Sequence, residues 1–521
     1  MRTLLGITGR KRKLAAALVF LLSLALYAPI ASAHARLLRS QPAANSTLKQ
    51  TPKSVELWFS EELEASMSTV TVTDQAGGRV DKNNATLAEG DKKLQIELEE
   101  LGSGTYTVDW KVLSTDQHTM KGQFTFTVAP GVAPPTQQPS AVLPQTAPSV
   151  QQIAPTQGPA APRLSTQESG STLGMSLARW LQYIAMMLLL GGFAFYLFVF
   201  APAVRRARGL SETERAATVS VSARRIILFA WLSLAALVVV SLAALVLQAA
   251  AVFDKGLGDA LSPALLQQVI TRTGFGSYWR LQAWATAALL LSLFFLSRRV
   301  RREAAADQRA LWWVSLAACA VLFVAPTLTG HAAVAAKEFY FARVADWLHI
   351  VAGGLWVGGL FHLALTMPTA LSGLSARARL HVLHRVIPLF TRLSVASTVL
   401  VLLTGVYNSW MHVDRFQELW STPYGETLLL KILLVIPMLA LGGLNTFVIH
   451  PRASRIIEQE ESAPDTLPAT LSRSFNRSVG VEAALGVAVL LVASVLVFLQ
   501  PAREHPMDDS ARAAFSSAAH P

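Results

Sequence analysis

Eight apolar segments constrain the fold of this chain more than any other feature of its sequence. They cover approximately residues 176–202, 225–250, 281–297, 310–329, 344–366, 388–410, 427–449 and 479–499. Most are about 20 residues long, which is enough for an α-helix to cross a hydrocarbon core roughly 30 Å thick. The sequence therefore predicts an all-α bundle of eight transmembrane helices within residues 172–500, embedded in a lipid bilayer.

The basic residues are distributed unevenly between the loops that join these segments. The loops after the first, third, fifth and seventh segments contain Arg205, Arg206, Arg208, Arg215, Arg224, Arg225, Arg298, Arg299, Arg301, Arg302, Arg309, Arg377, Arg379, Arg385, Arg452, Arg455, Arg473 and Arg477. The opposite loops and the tail contain far fewer, and cytoplasmic loops of membrane proteins carry the excess of Lys and Arg. We therefore expect a multi-pass protein of the cell membrane (plasma or inner). Its N-terminal region and its tail, residues 501–521, should be extracytoplasmic. The formal charge of +12 is explained by this pattern, so no nucleic-acid partner is expected.

Residues 1–33 have the three parts of a secretory signal peptide. Four basic residues, Arg10 to Lys13, precede an apolar run from Leu14 to Tyr27, and Ala31-Ser32-Ala33 resembles a cleavage site. Cleavage after Ala33 would make His34 the first residue of the mature chain. His34 would then offer two metal-binding nitrogens, the α-amine and the imidazole.

Residues 34–129 predict an exported all-β domain. Apolar residues alternate with other residues in five short runs: Val55, Leu57 and Phe59; Val70 and Val72; Leu94, Ile96 and Leu98; Tyr106, Val108 and Trp110; Phe124, Phe126 and Val128. Period-two alternation between turn signals is typical of an antiparallel sandwich. Residues 130–171 are rich in Pro, Gln, Ala, Ser and Thr, which predicts a disordered linker because such a segment buries little apolar surface.

A candidate metal site is indicated by Asp116 and His118. Side chains two residues apart lie on one face of an extended chain. Together with His34, these residues offer two imidazoles, one amine and one carboxylate, a donor set that suits Cu(II) better than Cu(I), which prefers sulfur ligands. The single cysteine, Cys319, lies in an apolar run and provides neither a disulfide nor a Cys-based zinc site.

The N-terminal domain resembles CopC, a periplasmic copper-binding protein family. The resemblance is carried by His34, Ser40-Gln41-Pro42-Ala43, Trp58-Phe59-Ser60-Glu61, and the run from Gly104-Thr105-Tyr106 through Ser114-Thr115-Asp116-Gln117-His118. It implies a sandwich of cupredoxin or immunoglobulin-like type, with His34, Asp116 and His118 as Cu(II) ligands and Glu61 as an extra or outer ligand. Only Met67 and Met120 occur in this domain, so we do not expect a separate methionine-based Cu(I) site.

The membrane half resembles CopD, the multi-span partner of CopC. The motif that carries this resemblance runs from Asp346-Trp347-Leu348-His349 to Gly353-Gly354-Leu355-Trp356-Val357-Gly358-Gly359. The resemblance implies copper movement toward the cytoplasm, with a role in copper homeostasis or resistance. Asp346 and His349 lie on one helical face, and ionisable groups inside membrane spans often mark transport pathways. Gly354 and Gly358 are interpreted as packing residues, because small residues at this spacing allow helices to approach closely.

Further candidates for the copper pathway lie near the ends of the spans. His331 follows the fourth span, and Met411 and His412 end the sixth. Each could instead be an ordinary interfacial residue. Passage as Cu(I) would require reduction of Cu(II), and the sequence has no reductase motif, so a reductase and envelope copper chaperones are candidate partners in addition to copper ions.

Two alternatives to copper transport remain at this point, although no enzymatic activity is predicted. A membrane oxidoreductase, such as a b-type haem protein or a cupric reductase, would need two histidines on facing helices at one depth. An anchored copper buffer would confer resistance by binding copper without moving it.

Overall fold

A computed structural model of the chain describes residues 37–114, 119–130, 171–302, 308–327, 339–458, 466–499 and 501–502. The predicted signal peptide, His34, Asp116, His118, His331 and nearly all of the predicted linker and tail lie outside these ranges. The described residues belong to two compact units, a β unit before the linker and a helical unit after it.

The β unit is built from two four-stranded sheets. Its strands are β1 (Leu37–Gln41), β2 (Thr47–Leu48), β3 (Ser54–Phe59), β4 (Thr69–Thr73), β5 (Thr86–Ala88), β6 (Lys93–Glu97), β7 (Gly104–Leu113) and β8 (Thr119–Val128). One sheet has the order β1-β3-β6-β5 and the other the order β2-β8-β7-β4. Within the described residues all pairings are antiparallel except that between β2 and β8.

The core of the β unit lies between these sheets. The alternating apolar residues predicted from β3, β4, β6, β7 and β8 are all buried. Phe59 and Trp110 pack edge to face across the core, with ring centroids 5.2 Å apart. The prediction of a small sandwich is confirmed, because side chains that alternate along each strand fill one continuous apolar interior.

Among its described residues, the helical unit contains eight helices that are long and apolar enough to cross a membrane. They are α1 (Leu173–Arg206), α2 (Glu212–Phe253), α3 (Gly274–Arg301), α4 (Arg309–Thr327), α5 (Phe341–Leu365), α6 (Ala376–His412), α7 (Pro423–Glu458) and α8 (Leu467–Leu496). Shorter helices over Leu257–Ala260, Pro263–Arg272, Met367–Ala370 and Glu418–Ser421 lie between them. Each predicted apolar segment corresponds to one of the eight helices, so the prediction of eight spans is confirmed.

Helix α1 is the packing centre of the helical unit, and it contacts α2, α4, α5 and α8. Helix α5 also packs on α6 and α8, while α7 packs on α8 and its second half packs on α6. Two stretches of π-helix interrupt the long helices, Phe195–Phe200 in α1 and Asn445–Ile449 in α7. Single π-helical turns inside α-helices occur frequently at functional sites.

Helices α1 and α5 approach each other through glycine. A Cβ atom built on Gly358 would collide with the carbonyl oxygen of Met187 and would lie 2.9 Å from the Cα atom of Gly191. A Cβ atom on Gly354 would meet the Leu190 side chain at 2.7 Å. The interpretation of Gly354 and Gly358 as packing residues is therefore confirmed.

Replacing Gly358 with alanine should destabilise the helical unit, because the backbone of α1 cannot move away as a flexible side chain could. Overpacking of this kind costs about 1–3 kcal/mol, and we expect a lower thermal midpoint for the protein in detergent. Gly353→Ala is the matched control, since a Cβ atom on Gly353 would have no neighbour within 4 Å. Equal midpoints for the two variants would contradict this account of the helix crossing.

Candidate functional site

In the β unit, the described residues that flank the three predicted copper ligands in sequence lie at one end of the sandwich. Leu37, three residues after His34, pairs with Phe59 at the end of β3. Ser114 forms a β-bridge with Leu63, and Leu113 pairs with Thr119 across the β7–β8 hairpin. Residues 115–118, which include Asp116 and His118, connect the two strands of this hairpin.

Glu61 lies in sequence between Phe59, which pairs with β1, and Leu63, which forms a β-bridge with Ser114. Its side chain is buried, with 6% of its surface exposed. Partial burial raises the pKa of the neighbouring Glu62 carboxyl group, an effect that the Lys92 charge opposes. The position of Glu61, between residues that pair with β1 and with Ser114, is compatible with the predicted ligand role.

The helical unit holds a second group of polar side chains, which we call the α5–α6–α7 polar cluster. It consists of Asp346 and His349 from α5, Thr404 and Asn408 from α6, and Lys431 from α7. Asn408 Nδ2 donates a hydrogen bond to Asp346 Oδ1 at 2.7 Å. Lys431 lies near enough to Asp346 and His349 to interact with both electrostatically.

The orientation of the His349 ring follows from its partner on α6. His349 Nδ1 lies 2.9 Å from Thr404 Oγ1. The Thr404 hydroxyl lies 2.6 Å from the carbonyl oxygen of Leu400, to which it donates its single proton. Thr404 Oγ1 therefore accepts from Nδ1, and in the neutral imidazole the lone pair is on Nε2, the form in which histidine binds metals.

His412 and Met411 lie at the end of α6, next to this cluster. His412 Nδ1 donates to the carbonyl oxygen of Asn408 at 2.6 Å, and its ring stacks on that of Tyr424 at 5.8 Å. His412 also interacts electrostatically with Asp346. The structure thus brings the predicted residues Asp346, His349 and His412 into one region, with Met411 half-buried beside them.

Sequence reasoning did not identify Thr404 and Asn408 as partners of the α5 residues. A signal was present, because Thr404, Asn408 and His412 are spaced four residues apart and therefore lie along one face of a helix. Within the ranges that the structure describes, no group of three or more His, Cys, Asp or Glu side chains is close enough to hold a metal ion. The polar cluster is therefore not a closed metal site.

His362, which lies deeper in α5, makes different contacts. It is fully buried, with Nδ1 2.9 Å from Thr366 Oγ1 and Nε2 donating to the carbonyl oxygen of Leu188 at 2.9 Å. Because both ring nitrogens make hydrogen bonds, His362 joins α5 to α1 as a packing residue. On α6 and α7, the rings of His384 and His450 stack at 5.0 Å.

Comparison with protein families identifies three consecutive regions of the chain. Residues 37–129 match the model of the CopC domain. Residues 170–338 match the N-terminal domain of copper resistance protein D-like proteins, and residues 384–496 match copper resistance protein D. These matches include both the β unit and most of the helical unit.

Individual proteins match either most of the chain or its N-terminal part alone. The chain is 26% identical over 487 residues to the copper transport protein CutJ of Bacillus subtilis (strain 168), covering 92% of this chain and 77% of that protein. It is 32% identical over 117 residues to copper resistance protein C of Xanthomonas campestris pv. juglandis, covering 21% of this chain and 91% of that protein. The solved structure of CopC from Methylosinus trichosporium OB3b is 32% identical, with 19% of this chain and 98% of that chain covered and a TM-score of 0.18. The chain therefore belongs to the copper transport and resistance family in which a CopC domain precedes a CopD membrane domain.

Proposed function

We propose that this protein captures Cu(II) outside the cell membrane and passes copper through its helical unit toward the cytoplasm. The observation that carries the proposal is the α5–α6–α7 polar cluster, in which Thr404 is buried and the other four residues are half-buried, in a chain that also has a CopC domain. Ionisable side chains are costly within a bilayer and usually face a pathway. The names of the matching families describe copper transport and resistance rather than catalysis.

The capture site is proposed to consist of His34, Asp116 and His118, with Glu61 as an additional or outer ligand. Three residues of extended chain span at most about 10 Å, so His34 is within reach of the end of β3 from Leu37. Asp116 and His118 lie in the four-residue connection that begins beside Leu63. Nitrogen and oxygen donors of this kind suit Cu(II). The proposal is supported by Leu37, Ser114 and Thr119, the described residues nearest to these ligands in sequence, which lie at one end of the sandwich.

Signal-peptide cleavage after Ala33 is proposed to complete this site, because it creates the α-amine of His34. An extra alanine between Ala33 and His34, with cleavage kept before the added residue, moves the amine out of the chelate ring. We expect Cu(II) affinity to fall by about 10–100-fold, the range seen when metal-site geometry is disturbed. Isothermal titration and the electron paramagnetic resonance spectrum of the bound Cu(II) would measure this change. An unchanged spectrum and affinity would exclude the amine as a ligand.

The membrane pathway is proposed to pass Asp346 and His349, with His412, Met411 and His331 near its entrance. Copper would travel as Cu(I), with one electron per ion supplied by a reductase partner. The proposed orientation places the CopC domain and the C-terminal tail outside. It is supported by the arginines near the ends of α1 and α3, such as Arg205, Arg206 and Arg298, because basic residues favour the cytoplasmic side.

Copper uptake into proteoliposomes tests this proposal. Transport predicts that vesicles containing the protein accumulate copper faster than empty vesicles. An anchored buffer predicts Cu(II) binding without accumulation, and that result would replace our proposal. The oxidoreductase alternative receives no support from His362, because hydrogen bonds to Thr366 and Leu188 occupy both of its ring nitrogens.

A further inference from the structure

A cavity of about 270 Å³ lies between α5, α6, α7 and α8. An apolar protein cavity of about 150 Å³ is large enough to hold benzene, so this cavity has room for one aromatic ring with substituents. Its lining includes four aromatic side chains, Trp356, Phe390, Phe447 and Phe475. Aromatic rings pack favourably on one another through their faces and edges. The volume and the walls of the cavity therefore favour a ligand with a single flat ring.

The cavity reaches the lateral surface of the helical unit between α6 and α7. Val395 and Val399 from α6 and Leu439 and Phe447 from α7 line the cavity, and all four side chains are also exposed. Apolar side chains exposed on membrane-spanning helices are in contact with lipid tails, which are as apolar as leucine. A ligand can therefore enter the cavity from the hydrocarbon layer, and such a ligand has to be soluble in the bilayer.

One part of the cavity wall is polar. Asn445, the first residue of the π-helix in α7, and Glu482 of α8 both line the cavity and are buried. Asn445 Nδ2 lies 3.5 Å from Glu482 Oε2. Among the buried side-chain atoms that the structure describes, Asn445 Oδ1 has no hydrogen-bond partner. A buried acceptor without a donor is destabilising, and a hydroxyl group on a ligand in the cavity would supply the missing donor.

Two hydroxyl groups extend this polar wall. Thr446 follows Asn445 on α7, and its Oγ1 lies 3.1 Å from Thr391 Oγ1 of α6. Hydroxyl groups both donate and accept, which suits a ligand that is itself a hydroxyl compound. The lining residues, all of which are described, include no Lys, Arg or His. The phosphate of a phospholipid head group would therefore lack a countercharge here, so the polar wall favours a neutral head group.

We propose that this cavity binds a bilayer-soluble molecule whose head is a single hydroxyl-bearing aromatic ring, the chemistry shared by alkylated phenols and quinols. The ring packs against Trp356, Phe390 and Phe475, and its hydroxyl group donates to Asn445 Oδ1. The alkyl tail leaves between α6 and α7, past Val395. This inference does not depend on copper movement, because none of these residues belongs to the α5–α6–α7 polar cluster or to the proposed Cu(II) site.

Equilibrium binding of radiolabelled 4-decylphenol to the full chain in lipid nanodiscs tests this inference, with empty nanodiscs as the measure of partition into lipid. We expect saturable binding of one molecule per chain. Decylbenzene, which has the same tail and ring but no hydroxyl group, should compete at least about tenfold less well, because it leaves Asn445 Oδ1 without a donor. Decylhydroquinone distinguishes the two sources of this chemistry, since tighter binding than that of 4-decylphenol would identify a quinol and weaker binding a phenol.

Two variants locate the binding site. Asn445→Leu should lower the affinity for 4-decylphenol by about tenfold and remove the preference over decylbenzene. Gly442→Leu should abolish binding without removing a polar group. Gly442 lines the cavity, and a Cβ atom there would be in ordinary contact with Glu482 Oε1 at 3.6 Å, so the rest of a leucine side chain would fill the cavity. Asn476→Leu is the matched control, because Asn476 is a half-buried asparagine of α8 that does not line the cavity, and it should bind as the wild type does.

Several results would overturn the inference. If nanodiscs with the protein bind no more 4-decylphenol than empty nanodiscs, the cavity holds only water. Equal affinities for 4-decylphenol and decylbenzene would indicate a site for lipid tails without hydroxyl recognition. Wild-type affinity and preference in Asn445→Leu would exclude the amide oxygen as the acceptor, and unchanged binding in Gly442→Leu would show that the ligand binds outside this cavity.

Discussion

Replacing His118 with alanine is expected to weaken Cu(II) binding by the β unit by about 100-fold or more. Removing a residue that only supports a metal ligand already lowers metal affinity by about 10–100-fold, and His118 is proposed to be a ligand itself. The variant would lose one of the two imidazoles in the proposed site. The sandwich itself should remain folded, because its core lies among residues such as Leu57, Val108 and Phe126, which are buried between the sheets.

Titration of the full-length protein with Cu(II) in the presence of a competing chelator would measure this loss. Gln123→Ala is a suitable control. Gln123 is exposed on β8, and its substitution removes only a hydrogen bond from Nε2 to Asp109 Oδ1. Affinity equal to that of the wild type in His118→Ala would exclude His118 as a ligand. Equal losses in both variants would indicate a general effect on the sandwich.

His349→Ala is expected to abolish copper uptake into proteoliposomes while Cu(II) binding by the CopC domain is unchanged. The substitution removes the imidazole that Thr404 orients, together with its Nε2 lone pair, and leaves Asp346 and Lys431 in place. Because His349 belongs to the helical unit and the proposed Cu(II) ligands belong to the β unit, the two activities should separate. Uptake should fall to the rate of empty vesicles, since removal even of a group that only supports a metal ligand lowers metal affinity or activity by about 10–100-fold.

His381→Ala provides a matched control for this experiment. His381 is a half-buried histidine on the same helix as Thr404 but 23 residues away, or about 34 Å along the helix. Its substitution should leave uptake close to that of the wild type. Uptake that remained normal in His349→Ala would remove this residue from the pathway and would leave the polar cluster with a structural role only.

The sequence predicted the parts of the fold that depend on local periodicity. Val55, Leu57 and Phe59 alternate along one strand, and the eight apolar segments are each long enough to span a bilayer. Because the spacing of apolar residues along the chain determines which side chains are buried, the buried faces of the strands and the membrane-spanning segments could be predicted without tertiary information. The close approach of α5 to another helix was predicted in the same way, from the spacing of Gly354 and Gly358.

The partners of the functional residues were not predictable to the same extent. Thr404 and Asn408 contact His349 and Asp346 across a gap of more than fifty residues in sequence, and the choice of facing helix depends on tertiary packing. Glu482, a buried residue of α8, likewise has a neighbour on another helix, because Asn445 of α7 lies beside its carboxyl group. In the β unit, the register between β1 and β3 brings Leu37 next to Phe59, a relation that alternation alone does not determine.

The crossing of α1 and α5 at Gly191 and Gly358 limits how the membrane domain can change shape during the proposed transport. Backbones in direct contact cannot slide past one another, because a shift of one residue would place a side chain where only hydrogen fits. Helices α1 and α5 therefore form a fixed frame. We expect the proposed copper pathway to open to either side of the bilayer by rocking of α6, α7 and α8 against this frame. Pro388 in α6 and Pro437 in α7 interrupt the helical hydrogen bonding where such bending is easiest.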